Sequence, residues 1–369
     1  MEFAFNEEQQ QFVDSIRRFL MIEMTPELAR EQWSSASGRS DALWQRLAGQ
    51  GLTAVLVPEA CGGLGLSETE WAPLAQECGY FALAEPLLDT ALVAAGMLSD
   101  CHAATPDTST RERCESWLGR IADGSVRVAV AHPGQAMVAD AHVADAILCE
   151  HGGALHLVPP AQATLAAHAS LDPSRRLFAL SWAPDDGSLL LPATAAKPVW
   201  EAALNRGALG VAAQMLGLTQ RMLDIAIDYS IQRKQFGKAI GANQALKHLL
   251  ADVAIQHEFA KPVVYRAACT LAQGHGTAGL HVSHALLAAT RAALLAARHT
   301  MQVHGAMGYT WELDLQIFMK RAWALADSWG DRAFHQARVD AHILGGAVPI
   351  GAGATFATFA TTANLASTL

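Results

Sequence analysis

Phe12, Ile16 and Phe19 recur at spacings of four and three, which puts one apolar face on a helix. Asn6 stands ahead of them with Gln9 three residues on, the two halves of a capping box. The glycines of Pro58-Glu-Ala-Cys-Gly-Gly-Leu-Gly break the pattern. Helical spacing resumes at Glu68, with Ser67 as its cap. Residues 1–120 therefore read as an N-terminal helical domain. Over 121–198 the apolar runs are short: Val126-Arg-Val-Ala-Val-Ala, Ala146-Ile-Leu-Cys, Ala154-Leu-His-Leu-Val and Ser188-Leu-Leu-Leu. Pro133-Gly134, Gly152-Gly153, Pro159-Pro160 and Pro184-Asp-Asp-Gly separate them. Short strands at this spacing predict a middle β-sandwich or barrel. From 199 to 345 helical spacing returns, through Leu204, Ala208, Val211, Met215, Leu218, Met222, Ile225 and Tyr229. Stretches 243–273 and 277–304 share it, which predicts an antiparallel C-terminal four-helix bundle. The fold class is α+β, ordered α–β–α along the chain. Residues 346–369 are left as a tail.

Composition narrows the function classes more than the fold. Hydrophobic residues make up 51% of the 369 and charged residues 17%, a globular balance. The net charge of −9 with no long basic run excludes a nucleic-acid binder. The six cysteines, Cys61, Cys78, Cys101, Cys114, Cys149 and Cys269, form no CxxC pair. They predict neither a zinc site nor a disulfide frame, and fit a reducing cytoplasm. Met1-Glu-Phe-Ala-Phe-Asn-Glu-Glu lacks the order of a secretory leader. The uncharged stretch 343–369 is too weakly apolar for a membrane span. His281 and His284 share a helix face near His275, but no carboxylate stands at Glu-x-x-His spacing, so no metal is expected.

The loop Gln232-Arg-Lys-Gln-Phe-Gly-Lys-Ala-Ile-Gly-Ala-Asn-Gln joins two helices and carries Arg233, Lys234 and Gly237. Physically it reads either as an interhelical turn with solvated charges or as an anion site. An Arg beside a helix N-terminus can hold a pyrophosphate. Beyond it lie Gln244-Ala-Leu-Lys-His-Leu-Leu-Ala-Asp-Val, then Gln302-Val-His-Gly-Ala-Met-Gly-Tyr-Thr-Trp-Glu and Met319-Lys-Arg-Ala-Trp. Together these resemble the acyl-CoA dehydrogenase family. The resemblance extends to Phe5-Asn-Glu-Glu-Gln, Leu43-Trp-Gln-Arg-Leu, Val57-Pro-Glu-Ala-Cys-Gly-Gly-Leu-Gly and Leu171-Asp-Pro-Ser-Arg-Arg-Leu, nearly the whole chain. It implies FAD as cofactor, an acyl-CoA substrate and an electron-transfer flavoprotein as electron acceptor. It further implies that Arg233, Gln235, Phe236 and Gln244 contact the FAD pyrophosphate region across a subunit interface. Gln302, Gly305, Ala306 and Gly308 would pack on the adenosine end, with Ala306 standing where the family has a second Gly.

The same resemblance exposes a gap. The family removes an α-proton with a carboxylate, placed in some members before the Gly equivalent to Gly330 and in others on the first bundle helix. Those positions are Trp329 and Gly207 here, and neither can accept a proton. The family's Thr-Glu-Pro-x-Ala-Gly-Ser is replaced by Val130-Ala-His-Pro-Gly-Gln-Ala, and Asp331 and Ala333 stand where a Thr and a Gln would meet the flavin. The chain's own isoalloxazine site is therefore expected to be incomplete, and its catalytic residue is unknown. Glu201, Asp327 and Asp331 are the nearby acids, as relocated bases or as ordinary surface and capping groups. Trp329 itself could simply plug the acyl cavity. Three readings remain: the base-lacking subunit of a heteromeric α2β2 dehydrogenase, a self-sufficient homotetramer with a relocated carboxylate, and a flavin-free scaffold keeping only the fold.

Overall fold

The computed structural model describes residues 5–345 apart from residue 186, so the tail at 346–369 lies outside the described residues. Six helices come first: α1 Glu7–Glu23, α2 Pro26–Ser34, α3 Asp41–Gly49, α4 Glu68–Tyr80, α5 Ala95–Ala104 and α6 Thr108–Ala122. The capping boxes read at both Asn6/Gln9 and Ser67/Glu70 are formed, each side chain and backbone bonding reciprocally. Ile16 and Leu20 are buried from α1, with Phe12 and Phe19 packed at the edge of the core. A π-helical turn over Leu88–Ala94 leads directly into α5.

The middle strands are β1 Val128–Ala131, β2 Val138–Ala139, β3 Ala146–His151, β4 Ala154–Val158, β5 Ala163–His168, β6 Leu177–Trp182 and β7 Leu189–Leu191. They form two sheets, ordered β1-β3-β4-β7 and β2-β6-β5. Period-two alternation divides the first sheet between two cores. Val128, Val130, Leu148, Leu155 and Leu157 join the main core with the helices. Ala129, Ile147, Cys149 and Val158 cluster instead with Val138, Phe178, Leu180 and Trp182 of the second sheet.

A 40-residue helix, α7 Ala193–Gln232, follows. The short strands β8 Lys234–Gln235 and β9 Lys238–Ala239 follow, then α8 Gln244–Ala272, α9 Ala278–His304, α10 Leu315–Leu325 and α11 Arg332–Leu344. Helix α9 is long and apolar enough by composition to cross a membrane. Its packing shows where that apolarity goes: Ala285, Ala289, Ala292, Ala293, Ala296 and Ala297 are fully buried, and α9 packs chiefly on α7 and α8. Helices α4 and α7 cross at glycines. A Cβ on Gly217 would lie 1.9 Å from the Gln76 carbonyl oxygen, and one on Gly79 would lie 2.1 Å from that of Gln214.

Candidate functional site

The first candidate surface is built where α7 stops. The Arg233 N–H closes the helix on the Tyr229 carbonyl at 2.8 Å, and the Ile240 N–H returns to the Arg233 carbonyl at 2.9 Å. β8 and β9 pair with Gln235 opposite Lys238, leaving Phe236-Gly237 as a two-residue turn. Both residues sit at positive φ, 54° and 78°. That is the type I′ geometry matched to strand twist, and Asn-Gly is its preferred sequence. A Phe there holds an unfavourable backbone while its ring is 98% exposed. The Arg233 guanidinium is exposed too, and it makes no ion pair or hydrogen bond among the described residues. Gln244 opens α8 just beyond, and the Asn243 side chain does not cap that helix. An uncapped helix N-terminus beside an unpaired Arg can bind a phosphate oxyanion.

The second motif arrives at the same end of the bundle. Tyr229, one turn before the hairpin, stacks on His304, the last residue of α9, with ring centroids 4.3 Å apart. Gly305 follows at φ 60°, which ends the helix. A Cβ on Gly308 would lie 2.7 Å from the Met301 carbonyl oxygen, so that glycine permits a close backbone approach. Gln302, Gly305 and Ala306 are all exposed. Ala306 is absent from the left-handed positions, so its methyl group fits where the family pattern has glycine. Helix end, arginine and glycine turn thus lie at the same end of the bundle, all exposed.

The two positions at which a base was sought converge on each other. A Cβ on Gly207 would lie 2.0 Å from Cδ2 of Trp329, so the indole lies flat against α7. Trp329 is 4% exposed and sits at φ 58°, followed by Gly330 at 103°. Its carbonyl accepts from His335 Nε2 at 2.9 Å. His335 is fully buried, and burial holds its imidazole neutral. With the proton on Nε2, Nδ1 accepts from the Ser283 hydroxyl at 2.9 Å. On the other side of the indole stands His132, 5.6 Å away and itself 5.7 Å from Trp200. The His132 ring takes the Gly134 N–H on Nδ1 at 3.0 Å and gives Nε2–H to the Trp200 carbonyl at 3.1 Å. The substituted Val130-Ala-His-Pro-Gly stretch is thus part of an aromatic plug.

A cavity of about 60 Å³ remains beside the plug, lined in part by Asp89, Asp140, Arg175, Gln214 and Trp329. Burial, and then repulsion from Asp140, push the Asp89 carboxyl up to about 7, against the pull of Arg175 and the nearby Trp329 indole. Glu85, also on this cavity, is likewise driven up to about 7 by burial, although Ser40 N–H binds it at 2.8 Å. Asp140 is paired with Arg39. Glu201, Asp327 and Asp331 lie elsewhere: all are exposed, none lines this cavity, and Asp331 caps α11 by accepting the Phe334 N–H at 2.7 Å.

Asp89 was not nominated from the sequence, although a signal exists. It is the only charged residue between Pro86 and Ser99, inside an apolar run. The roles of His132 and His335 depend on contacts between distant segments and left no pattern. Among the described residues, no group of three or more His, Cys, Asp or Glu is gathered as a metal site.

Comparison with known proteins agrees with this architecture. Residues 6–125 match the model for the acyl-CoA dehydrogenase N-terminal domain, and 198–343 match that for its C-terminal domain. Acyl-CoA dehydrogenase IpdE2 of Mycobacterium tuberculosis is 30% identical over 318 residues, covering 86% of this chain and 91% of the relative. Its namesake from Mycolicibacterium smegmatis is 28% identical over 92% of this chain and all of the relative. Among solved structures, a chain of the ChsE4-ChsE5 complex from Mycobacterium tuberculosis superposes with a TM-score of 0.82 at 22% identity, covering 95% of this chain and 100% of its own. The fold, the FAD expectation and the oxidoreductase class, acting on CH–CH groups, stand together with these matches. The chain belongs to the acyl-CoA dehydrogenase family.

Proposed function

We propose that this chain is the supporting subunit of a heteromeric acyl-CoA dehydrogenase. In this reading it holds the adenosine and pyrophosphate end of FAD for a partner subunit that supplies the base and the acyl pocket. Bound FAD would supply the hydride acceptor for α,β-dehydrogenation of an acyl-CoA thioester. Arg233, Gln235, Phe236 and the α8 N-terminus would take the pyrophosphate region, and Gln302, Gly305 and Ala306 the adenosine end. The observation that carries the reading is the Trp329 ring packed where either base would stand, and the length of α7 sets the outward donors far from it. Arg233 lies 26 residues beyond Gly207, about 39 Å along a helix rising 1.5 Å per residue. That exceeds the reach of an extended FAD. These donors therefore lie beyond the reach of the chain's own cleft and would serve the cleft of another subunit.

The chain's own cleft does not fit the isoalloxazine end. The Trp329 ring covers both base positions, Asp331 sets a carboxylate at the start of α11, and about 60 Å³ cannot take a flavin ring with an acyl group. A self-sufficient enzyme would need that space. A pure scaffold would have no use for an unpaired Arg and a strained, exposed Phe. Electron-transfer flavoprotein as acceptor and steroid-derived CoA esters as substrates belong to the same proposal. The second is supported by one fold neighbour, the Tcur3481-Tcur3483 steroid ACAD.

Native mass spectrometry of the complex from its own host tests the proposal by reading subunit identity and flavin count together. A heterotetramer with a Glu-bearing partner and two flavins is expected, with flavin lost in Arg233→Ala. A homotetramer carrying four flavins would overturn it. Trp329→Glu alone is expected to give no turnover; appreciable turnover would refute the closed cleft.

A further inference from the structure

The last residue of α9 faces the last turn of α7. His304 and Tyr229 stack with ring centroids 4.3 Å apart and planes 28° from parallel. The Tyr229 carbonyl accepts the Arg233 N–H at 2.8 Å, so the stacked tyrosine is also the residue on which the helix closes before the loop. His304, for its part, directly precedes Gly305 and stands two residues beyond Gln302. One ring pair therefore joins the Arg233 loop to the glycine turn.

The polar atoms of His304 take no part in that joint. Nδ1 lies 2.7 Å from the Thr300 carbonyl, which can only accept, so Nδ1 carries the proton. Burial holds the ring neutral, and Nε2 is left as a buried acceptor without a partner. Such an acceptor costs stability that an apolar side chain would not. What the ring adds between the two helices is its flat face. Other contacts fasten the loop only locally. The Ile240 N–H returns to the Arg233 carbonyl, and Gly241 packs on Ser230, where a Cβ would lie 3.1 Å from the Ser230 carbonyl oxygen. Neither contact involves residues 302–308. The far stem of the loop is held from α9 as well: His299 Nδ1 donates to the Leu249 carbonyl of α8 at 3.0 Å. Helix α9 thus grips both helices that bracket the loop, α7 through His304 and α8 through His299.

We propose that His304 is a positioning residue: its ring, stacked on Tyr229, sets the distance between the Arg233 loop and the glycine turn. The inference rests on reading this end of the bundle as the seat of the FAD pyrophosphate and adenosine. It adds how the chain keeps the two halves of that seat in register.

Two measurements on the whole complex test it. The first is amide hydrogen exchange without added flavin. In His304→Leu the Arg233 and Ile240 amides, whose bonds close the loop, should exchange at least about tenfold faster than in the parent, with the middle of α7 unchanged. His304→Phe keeps a flat ring and should stay within about twofold of the parent. The second is titration of the deflavinated complex with FAD. His304→Leu should weaken FAD about tenfold, and His304→Phe should restore it. In a double-mutant cycle with Arg233→Ala, the loss caused by His304→Leu should largely vanish, because His304 acts through the place where Arg233 stands. Tyr229→Leu removes the ring pair from the other side and should reproduce His304→Leu, which keeps the test decisive if that variant does not fold. Unchanged exchange in both leucine variants, no rescue by His304→Phe, or full additivity with Arg233→Ala overturns the proposal. Full retention of FAD by Arg233→Ala would instead bring down the reading of the site, and the flavin-free exchange rates would still decide the role of the ring.

Discussion

Asp89 and Glu85 carry a consequence for stability that belongs to single residues. Both are held at about 7 when folded, against ordinary values of 3.8 and 4.5. A raised carboxylate binds more protons in the folded state than in the unfolded chain. Its contribution is therefore fully present below the unfolded value and is lost as pH rises through the folded one. Asp89→Asn removes one of these charges at nearly the same volume. Urea unfolding should show the variant at least as stable as the parent at pH 8, with its relative advantage shrinking or reversing by pH 5. An advantage that grows on acidification would contradict the assigned protonation. The residue scale is also where the sequence was least legible. Asp89 and Trp329 are 240 residues apart, and helical periodicity treats an acid in an apolar run as an exception. The chemistry of the pair exists only once a π-helical turn and a left-handed tryptophan are brought together.

Among the elements, the β8–β9 hairpin has local sequence and local geometry in disagreement. Its turn asks for Asn-Gly and has Phe-Gly, with the ring in water. Removing the strain of a left-handed aromatic should help the isolated chain, so Phe236→Asn is expected to gain about 0.5–1 kcal/mol in urea. The same change should lower flavin retention in the assembled complex. A gain in both would show that Phe236 has no role beyond the turn. Helix starts were readable here because capping is local: Asn6 with Gln9 and Ser67 with Glu70 form as their spacing requires. Strands β5 and β6 were not read as runs. Ala163-Thr-Leu-Ala-Ala-His has few strand formers, and four of its six side chains are exposed, which leaves little alternation to detect. Their pairing is supplied by the second sheet rather than announced by composition.

Across the whole molecule, the N-terminal helices are fastened to the bundle by close backbone contact and by charge. Gly79 and Gly217 let α4 and α7 approach until carbonyls occupy the space a methyl group would need. Arg206 of α7 binds Glu68 at 2.9 Å and also pairs with Asp100, joining α7 to α4 and α5. Gly217→Ala should cost at least about 1–3 kcal/mol, the range of overpacking in a tight core. It should weaken the N-terminal helices and the bundle together in one urea transition. Separate transitions would mean that the two layers fold independently. The order of helical and strand-rich blocks was visible in the sequence because it depends on periodicity. This crossing was not, since Gly79 and Gly217 carry no side chain for periodicity to register.

The contact between Gly207 and Trp329 makes this chain a one-way ratchet. The two positions where a base would restore proton abstraction occupy one volume, and each is now shaped around the other. An acid placed at 207 meets the indole at 2.0 Å from its first carbon. An acid placed at 329 loses the ring that fills the cleft and enters beside Asp89, a second carboxylate in a poorly solvated site. No single substitution at either position leads back to a working base. A return path needs at least two changes, and the first of them lowers stability without yielding activity.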